Sequence, residues 1–518
     1  MSLDSFLQNL HFDIEKLSPP GWEVDWQDAP LTYKLYEDIP SFQLSLEVPL
    51  TLEKQEAPST PDLFRIGHFL WYTFGLTNVS QSIDPFETSL EPVQSFRRFV
   101  PSGGGLYPNE LYVYLKIADL PVGVYHYDVA HHRLILLREG NFDSYLAQAL
   151  GNRCTIPSCF ATFIVTTMFW KNFFKYNNLS YRLQGLDAGV LIGQMLEVSK
   201  RFGFEPGVYY QFLDQAINHL IGLEENEEST YAIIPLSVES TSWLTPANEA
   251  GSHVSTTELC REIPSIQRKH YSRSKRIKEY PMLLKMNKAS MITSTETIRY
   301  FQVADQLNNE EYEYKLPFIN HLSYDLAEIC RNRFSPEMDY ILGKVSLSQL
   351  SILLKETMAS FLYRNDLHYS SPQVALYSCL YNVENLPNGA YFYDNKQHAL
   401  NLLQSGDHRT RLQYAMTFDN VNLQHIPICV HVAGDSAFYK NSFHYRGYRI
   451  QQMEAGMLVQ RLLLTATALG MGGHPLLGFD ASSCDAIYKL RGKGKTCLIQ
   501  IPVGFHRERP WLNGSLHN

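Results

Sequence analysis

A chain of 518 residues is several times longer than a typical single domain, so we expect two or more hydrophobic cores or one duplicated unit. Hydrophobic residues make up 45% of the sequence and charged residues 19%, values that are typical of globular proteins and exclude extensive disorder. The formal net charge of −9 is spread along the chain, which argues against a nucleic-acid or anionic-membrane partner.

The cysteines and the N-terminus indicate a compartment. The eight cysteines form no C-x-x-C pair, so neither a zinc site nor a disulfide framework is predicted. The N-terminal stretch "MSLDSFLQNLHFDIEKL" carries acidic residues and no apolar signal, and the longest mostly apolar run, at 159–170, is too short to span a bilayer. We therefore predict a cytoplasmic protein with reduced thiols, no metal site and no membrane partner.

In chain order, residues 1–61 form an N-terminal extension, and an internal repeat follows. The stretch "LPVGVYHYDVAHHRLILLREGN" (120–141) matches "LPNGAYFYDNKQHALNLLQSGD" (386–407), and both have the pattern of a β-hairpin. Further on, "YRLQGLDAGVLIGQMLEVSKRFGFEPG" (181–207) matches "YRIQQMEAGMLVQRLLLTATALGMGGH" (448–474). Apolar residues at helical spacing predict a long helix in each copy, ending at glycines.

Each copy also contains a strand before the long helix and a short helix and strand after it. This mixture predicts a three-layer α+β domain that is built twice, over 62–240 and 321–518. Residues 241–320 read as a linker with some helix, "PMLLKMNKAS". Within the linker, the basic cluster "RKHYSRSKRIK" (268–278) is interpreted as a solvated face rather than a docking patch.

The first half, residues 62–240, contains a glycine loop that the second half, residues 321–518, lacks. Residues Pro101, Ser102, Gly103 and Gly104 lie between an arginine pair and a strand, and glycine amides without Cβ atoms can approach a flat ligand closely. A tight structural turn is the alternative. The corresponding stretch of the second half, "YSSPQVALY" (369–377), has no glycine, and this difference favours a functional loop.

A second difference lies just before the long helices. The first half has Lys175 and Tyr176, where the second has Ser442 and Phe443. A lysine beside a tyrosine can act as a general acid or base when its pKa is lowered toward neutrality. A surface lysine and a core tyrosine is the alternative interpretation.

The second half carries a cationic set of its own. Arg331, Arg333 and Ser335 precede an amphipathic segment, and Arg507 and Arg509 follow the last strand. Guanidinium groups and a hydroxyl are suited to a phosphate monoester. Neither a G-x-G-x-x-G fingerprint after a strand nor a P-loop occurs, so a dinucleotide-binding or nucleoside-triphosphate site is not indicated.

Together these motifs resemble the FMN-dependent nitroreductase superfamily and, within it, the SagB/McbC/ThcOx-type azoline dehydrogenases. The resemblance assigns the FMN phosphate to Arg333 and Ser335, although Glu337 stands where the family motif has a further basic residue. It assigns the flavin ring to the Pro101–Gly104 loop and catalysis to Lys175 and Tyr176. The remaining cofactor positions that it implies are Arg331, Met471, Gly472, Gly473, Arg507 and Arg509.

The resemblance also implies the architecture. Members form domain-swapped homodimers in which each flavin site takes its phosphate end from one subunit and its ring-facing loop from the other. We therefore expect two fused nitroreductase-like domains, each a central antiparallel-rich sheet flanked by helices, that form a pseudo-dimer. The intact motifs are complementary, which predicts one FMN at the interface between the halves.

The implied reaction oxidises a thiazoline or oxazoline ring of a ribosomally made peptide, removing the Cα proton and transferring a hydride from Cβ to the flavin. Lys175 or Tyr176 is the expected base, and Tyr181 and Arg182 orient the helix head or the ring. Expected partners are the azoline-containing precursor peptide and a cyclodehydratase, with further homodimerisation left open. Two alternatives stay open: a generic NAD(P)H-dependent nitroreductase or flavin reductase, and a flavin-free scaffold subunit.

Overall fold

A computed structural model describes residues 1–82, 93–239, 241, 253–299, 314–359, 363–367, 373–508 and 512–515. Arg509 and residues 369–372 of the second-half loop therefore lie outside the described residues. Within the described ranges, no helix combines the length and apolar character needed to cross a membrane.

Helices and strands are interspersed along the chain. The helices are α1 (Leu3–Phe12), α2 (Leu63–Phe74), α3 (Asp143–Ala149), α4 (Trp170–Tyr176), α5 (Ser180–Arg201), α6 (Asp214–Ile221), α7 (Thr256–Cys260), α8 (Pro281–Ala289), α9 (Leu326–Asn332), α10 (Leu347–Met358), α11 (Arg409–Tyr414), α12 (Lys440–Phe443), α13 (Arg446–Ala468) and α14 (Ala481–Tyr488). The strands are β1 (Ser41–Gln43), β2 (Leu76–Ser82), β3 (Val93–Arg98), β4 (Asn109–Leu115), β5 (Gly123–Asp128), β6 (Arg133–Glu139), β7 (Ala161–Met168), β8 (Glu205–Val208), β9 (Glu228–Ser237), β10 (Tyr314–Lys315), β11 (Arg364–Asn365), β12 (Ala375–Leu380), β13 (Gly389–Asp394), β14 (Ala399–Ser405), β15 (Ile428–Asp435), β16 (Gly472–Gly473), β17 (Lys495–Gly504) and β18 (Leu512–Ser515).

Two large sheets repeat the same spatial order. The first runs β1-β6-β5-β4-β7-β9-β8-β11, and the second runs β10-β14-β13-β12-β15-β17-β16. Their central pairs, such as β4 with β7 and β12 with β15, are antiparallel. The predicted α+β class and its duplication are confirmed.

The repeated hairpins agree in detail. The Tyr127 hydroxyl lies 2.8 Å from Nδ1 of His132, and the Tyr393 hydroxyl lies 2.8 Å from Nδ1 of His398. Both histidines have a φ of 48° at the hairpin turn. The same residue types therefore close the same turn in both halves.

The long helices α5 and α13 pack against each other at the centre of the molecule. A Cβ at Gly189 would lie 2.0 Å from the carbonyl oxygen of Met453, and one at Gly456 would lie 2.1 Å from that of Leu186. The glycines therefore let the two backbones approach closely. Each helix ends just before a glycine in the left-handed region, Gly203 or Gly470, as the sequence predicts.

Two strands of the second half pair with strands of the first. β11 of the second half lies parallel to β8 of the first, with Arg364 opposite Gly207. β18, near the C-terminus, pairs with β2 in a three-stranded sheet that β3 completes. These pairings join the halves into the predicted pseudo-dimer.

The N-terminal extension packs on both halves. Phe6 of α1 contacts the ring of Tyr181 at 6.4 Å, and Nε2 of His11 lies 2.8 Å from the hydroxyl of Thr496. β1 adds an edge strand to the first sheet. The linker contains α8 where "PMLLKMNKAS" predicts a helix.

Candidate functional site

Asp187 of α5 holds the glycine loop of the first half through hydrogen bonds. The hydroxyl of Ser102 donates a hydrogen bond to Asp187 at 2.5 Å, and the amide of Gly103 donates to the same carboxylate at 3.3 Å. The amide of Tyr107 donates in turn to Oγ of Ser102 at 2.9 Å. One buried carboxylate therefore holds both the side chain and the backbone of the loop.

Lys175 and Tyr176 lie at the end of α4, directly against this loop. A Cβ at Gly104 would lie 2.5 Å from the Tyr176 hydroxyl oxygen and 3.0 Å from Nζ of Lys175, and Gly104 has a φ of 64°. Both the conformation and the space require glycine here. The bare backbone thus allows the two titratable side chains to stand against the exposed Gly104.

Burial sets the protonation states of this group. It lowers the pKa of Lys175. It raises the pKa of Tyr176 to about 12, with a smaller contribution from the charge of Asp187. Burial also raises the pKa of Asp187 to about 7, although the hydrogen bonds from Ser102 and Gly103 oppose the shift. Near neutral pH, Tyr176 is therefore a phenol that can donate, and Lys175 is the better base of the pair.

The phosphate-binding candidates of the second half meet the first half at Arg333. Its Nε donates to the carbonyl oxygen of Phe99 at 3.1 Å, and its Nη1 donates to Ser335 at 3.3 Å. The Arg97 guanidinium lies 5.7 Å from the Phe334 ring. Burial, together with the charge of Arg97, lowers the pKa of Arg333. Two guanidinium groups from different halves are thus close together.

No carboxylate within the described ranges pairs with Arg333, although the group is half-buried. Two guanidinium groups that lie this close together suit an anionic ligand.

The turn Gly472–Gly473 belongs to the same region. β16 pairs with the end of β17, and a Cβ at Gly472 would lie 2.5 Å from Pro336 and 2.8 Å from His506. Nδ1 of His474 donates to the carbonyl oxygen of Pro336 at 2.6 Å. The predicted turn therefore packs against the loop that carries Arg333 and Ser335.

Three further candidates lie near this region. Met471 is buried beneath the Gly472 turn. The amide of Arg507 donates to the carbonyl oxygen of Asp339 at 3.0 Å, and the Arg507 side chain is exposed. Arg331 is exposed at the end of α9, close to the Tyr72 hydroxyl. Arg509 lies outside the described residues.

The two sets of motifs line one seam between the halves. Arg333 touches Phe99, and Phe99 precedes Ser102 by three residues, a chain length of at most about 11 Å. The predicted phosphate end and the predicted ring loop are therefore neighbours, contributed by different halves.

Tyr181 and Arg182 do not belong to this group of contacts. The Tyr181 hydroxyl lies 3.2 Å from that of Ser290, and its ring stacks on Tyr448 at 5.8 Å. Arg182 donates to the carbonyl oxygen of Leu498. Both are buried and attach the head of α5 to the second half and the linker. A direct catalytic part for these two has no support from these contacts, which fit the predicted role of orienting the helix head.

The pseudo-symmetric position differs in composition. Glu205 and Pro206 replace Gly472 and Gly473 there, and they line a cavity of about 310 Å³ together with Arg461. Arg461 forms buried ion pairs with Glu197 of the first half and Glu356 of the second. The twin position is thus crossed by a charged network that links the halves.

Sequence reasoning missed two residues of the site. Asp187 aligns with Glu454, so an acid kept in both copies, "GLDAG" and "QMEAG", was an available signal. Trp26 of the extension has its ring 5.3 Å from Nζ of Lys175 and 5.5 Å from the ring of Phe174. No motif in the sequence points to Trp26. Among the described residues, no group of three or more His, Cys, Asp or Glu side chains is arranged to hold a metal ion.

The fold is that of a nitroreductase. A solved structure of a protein from Anabaena variabilis, assigned as a nitroreductase, superposes with a TM-score of 0.72 over 98% of this chain and 99% of that one, at 21% identity. The fold match extends over both halves.

The sequence agrees with the fold. Residues 373–505 match the model of the nitroreductase family. The second half therefore matches the nitroreductase family, and the resemblance that the sequence motifs predict is confirmed.

Two curated relatives are similar over shorter stretches. One is the trifolitoxin-processing protein TfxB of Rhizobium leguminosarum bv. trifolii, 27% identical over 217 residues, or 38% of this chain. The other is the oxygen-insensitive NAD(P)H nitroreductase of Salmonella typhimurium, 44% identical over 48 residues, or 9% of this chain. The chain spans 56% of the length of the first relative and 22% of the second.

Proposed function

We propose that the protein is an FMN-dependent dehydrogenase that oxidises thiazoline or oxazoline rings in a ribosomally made peptide. The observation that supports the proposal is that motifs from the two halves lie side by side at the interface between them. Arg333 of the second half donates both to Ser335 and to the chain that leads into the glycine loop of the first half, and Lys175 lies against that loop.

The residues present fit a flavin mononucleotide. The half-buried Arg333 and the Ser335 hydroxyl would hold the phosphate, with Arg97 and Arg507 adding positive charge nearby. The Ser102–Gly104 backbone would meet the flat ring, because the glycines remove the Cβ atoms from that side. When bound, FMN supplies the two-electron acceptor that receives the hydride leaving Cβ of the azoline.

The chain's own groups handle the proton and the position of the ring. Lys175, with its pKa lowered by burial, takes the Cα proton of the azoline. Tyr176 stays protonated and donates a hydrogen bond beside it, because burial raises its pKa to about 12. Asp187 keeps Ser102 and Gly103 in place beneath both.

The substrate class is supported by the motifs and by one relative. The Lys-Tyr pair and the Pro-Ser-Gly loop are those of the SagB/McbC/ThcOx-type proteins that the sequence resembles. The relative from Rhizobium is named for processing trifolitoxin, which favours a biosynthetic substrate over a generic nitroaromatic compound. A cyclodehydratase that forms the azoline would be the expected partner, in the cytoplasm.

We also propose a single flavin per chain. The first-half loop and the second-half arginine set are complementary, whereas the twin position has Glu205 and Pro206 in place of two glycines and contains the Arg461 network. An absorbance spectrum of the purified protein should show one flavin per chain. A colourless protein would instead support the scaffold alternative.

A generic NAD(P)H-dependent nitroreductase is the second candidate, favoured by the 44% identity over 48 residues to the Salmonella enzyme. Anaerobic mixing separates the two. Bleaching of the flavin by an azoline peptide but not by NADPH supports the dehydrogenase, and rapid bleaching by NADPH supports the reductase.

The decisive variant is Lys175→Ala, measured beside Lys440→Ala. Lys440 lies on α12, the second-half counterpart of α4, and its side chain pairs with Asp4 rather than with a loop glycine. We expect Lys175→Ala to lower azoline turnover about 10²- to 10⁴-fold while flavin stays bound, and Lys440→Ala to leave turnover unchanged. Undiminished turnover in Lys175→Ala, or loss of its flavin, would contradict the assignment.

A further inference from the structure

The basic cluster of the linker is not a loose connection. The amides of Lys275 and Arg276 each donate to the carboxylate of Asp28 at 2.8 Å, and the Arg276 side chain pairs with Asp25 at 2.6 Å. The amide of Tyr271 donates to the carbonyl oxygen of Leu35 at 2.8 Å. The linker and the N-terminal extension therefore form one folded wall.

This wall stands beside the candidate base. The indole nitrogen of Trp22 donates to the carbonyl oxygen of Phe174 at 3.2 Å, which fixes the extension to α4. The ring of Trp26 meets Phe174 edge-on at 5.5 Å and lies 5.3 Å from Nζ of Lys175. Trp26 is nevertheless 56% exposed, so part of its ring remains open to a ligand.

Positive charge lies on the same wall as this open ring. The ammonium group of Lys278 lies 4.1 Å from the Trp22 ring, and Arg273, Lys275 and Lys278 are exposed. Within the part of the chain that the structure describes, no carboxylate pairs with these three side chains. The extension–linker face, defined as Trp22, Trp26, Arg273, Lys275, Arg276 and Lys278, is thus a basic and aromatic surface on a protein with a net charge of −9.

We propose that the extension–linker face binds an acidic segment of the substrate peptide and so holds the neighbouring ring beside Lys175. The inference rests on the proposed peptide substrate and adds the location and the charge of its binding site. Complementary charge accelerates encounter and fixes orientation, and an exposed tryptophan supplies rigid contact area for a backbone or a ring.

A peptide fits this face better than a nucleic acid or an anionic membrane. Asp25 and Asp28 belong to the same wall and reduce its positive charge, and the net negative charge of the chain repels extended polyanions. A short acidic peptide needs only a few cations and an aromatic contact.

The test uses full-length protein with its flavin and two fluorescein-labelled probes, an alternating Gly-Glu dodecapeptide and its Gly-Lys counterpart. The double variant Lys275→Glu/Lys278→Glu reverses two exposed charges and leaves the backbone hydrogen bonds to Asp28 in place. Its matched control is Lys54→Glu/Lys315→Glu, which makes the same change in charge at exposed positions. Lys54 lies near the C-terminal end of α5, whereas Lys175 precedes its N-terminal end.

We expect the Gly-Glu probe to bind the wild type in a salt-sensitive manner and the Gly-Lys probe not to bind. The Lys275→Glu/Lys278→Glu variant should bind the Gly-Glu probe about ten- to a hundredfold more weakly, and the Lys54→Glu/Lys315→Glu control should match the wild type. Trp26→Ala should also weaken binding, and Trp26→Phe should restore most of it.

Equal loss in the control, or equal binding of both probes, would overturn the proposal. So would tighter binding of a labelled single-stranded oligonucleotide or of vesicles containing phosphatidylserine that depends on Lys275 and Lys278. Oxidation of a free small azoline is measured separately. If that reaction proceeds without selective probe binding, the docking proposal fails and the proposed function stands. If the probe binds selectively but no azoline is oxidised, the docking proposal stands and the proposed dehydrogenase function fails.

Discussion

Replacing Asp187 with asparagine should make the protein more stable in mild alkali and a poorer enzyme. Asp187 is only 8% exposed, and no cation among the described residues pairs with it. Its carboxylate instead accepts hydrogen bonds from Ser102 and Gly103, two residues of the loop that we propose to face the flavin. Ionising the Asp187 carboxyl group in the folded protein therefore costs free energy, although the same group holds the loop in place.

The magnitude follows from the pKa. Burial raises the pKa of Asp187 from 3.8 to about 7, so between these values the folded state holds a proton that the unfolded state has released. Stability falls as pH rises through this window and stays lower above it. The full cost of ionising Asp187 in the folded state is about 4 kcal/mol. Asparagine removes this cost, but its amide accepts hydrogen bonds at one oxygen only, which costs about 1–2 kcal/mol. The free energy of unfolding should therefore rise by about 2–3 kcal/mol.

Thermal unfolding at two pH values measures the effect. At a pH above 7, Asp187→Asn should melt about 2–3 °C above the wild type, and near pH 4 the gain should vanish. Azoline turnover should fall, with flavin retained. The matched control is Glu454→Gln at the aligned position of α13, where burial raises the pKa to about 8 and Tyr439 donates the hydrogen bond.

The control should be stabilised in a similar way while turnover is unchanged, because Glu454 does not hold the first-half loop. The reasoning is refuted if Asp187→Asn is equally stabilised at both pH values. It is also refuted if turnover survives intact, or if Glu454→Gln reduces turnover as much as Asp187→Asn does.

Three further predictions concern the seam. Gly104→Ala should lower turnover more than Gly105→Ala in a steady-state assay. Both positions have positive φ, but only at Gly104 would a Cβ collide with the Tyr176 hydroxyl. Equal losses of turnover would contradict this close approach. Arg461→Leu should lower the free energy of unfolding by about 3–5 kcal/mol, because two buried carboxylates lose their partner. The absorbance spectrum of this variant should still show one flavin per chain. A second flavin would contradict the single-site proposal. Turnover should rise with pH as Lys175 loses its proton, because burial lowers its pKa, and Lys175→Ala should abolish that dependence in a pH–rate profile.

The fold was largely predictable because local patterns carried it. Helical spacing and terminal glycines predicted the two long helices, and α5 runs from Ser180 to Arg201 before Gly203. Alternating residues predicted the hairpins and the closing strands. The pairing of β11 and β18 with the first half was not predictable from local pattern, because the partner of a strand of two to four residues is set by the tertiary structure.

The candidate site was predictable where the two copies differ. The missing glycines and the replaced Lys-Tyr pair pointed to the first half, and the arginine set pointed to the second. Asp187 was overlooked because both copies keep an acid there, so no contrast revealed it. Trp26 lies in the extension, outside the repeat, where no second copy exists for comparison. Its position beside Lys175 depends on the long-range packing of the extension.

The Arg461 network shows what fusing a dimer makes possible. In a dimer of identical subunits every substitution occurs twice, so a residue that fills one ligand pocket fills the other as well. Here Arg461 forms its ion pairs on one side of the interface between the halves, while the aligned residue of the first half, Gln194, has a short neutral side chain. In a single fused chain, one side of the interface can thus join the halves through buried ion pairs while the other side keeps a different composition.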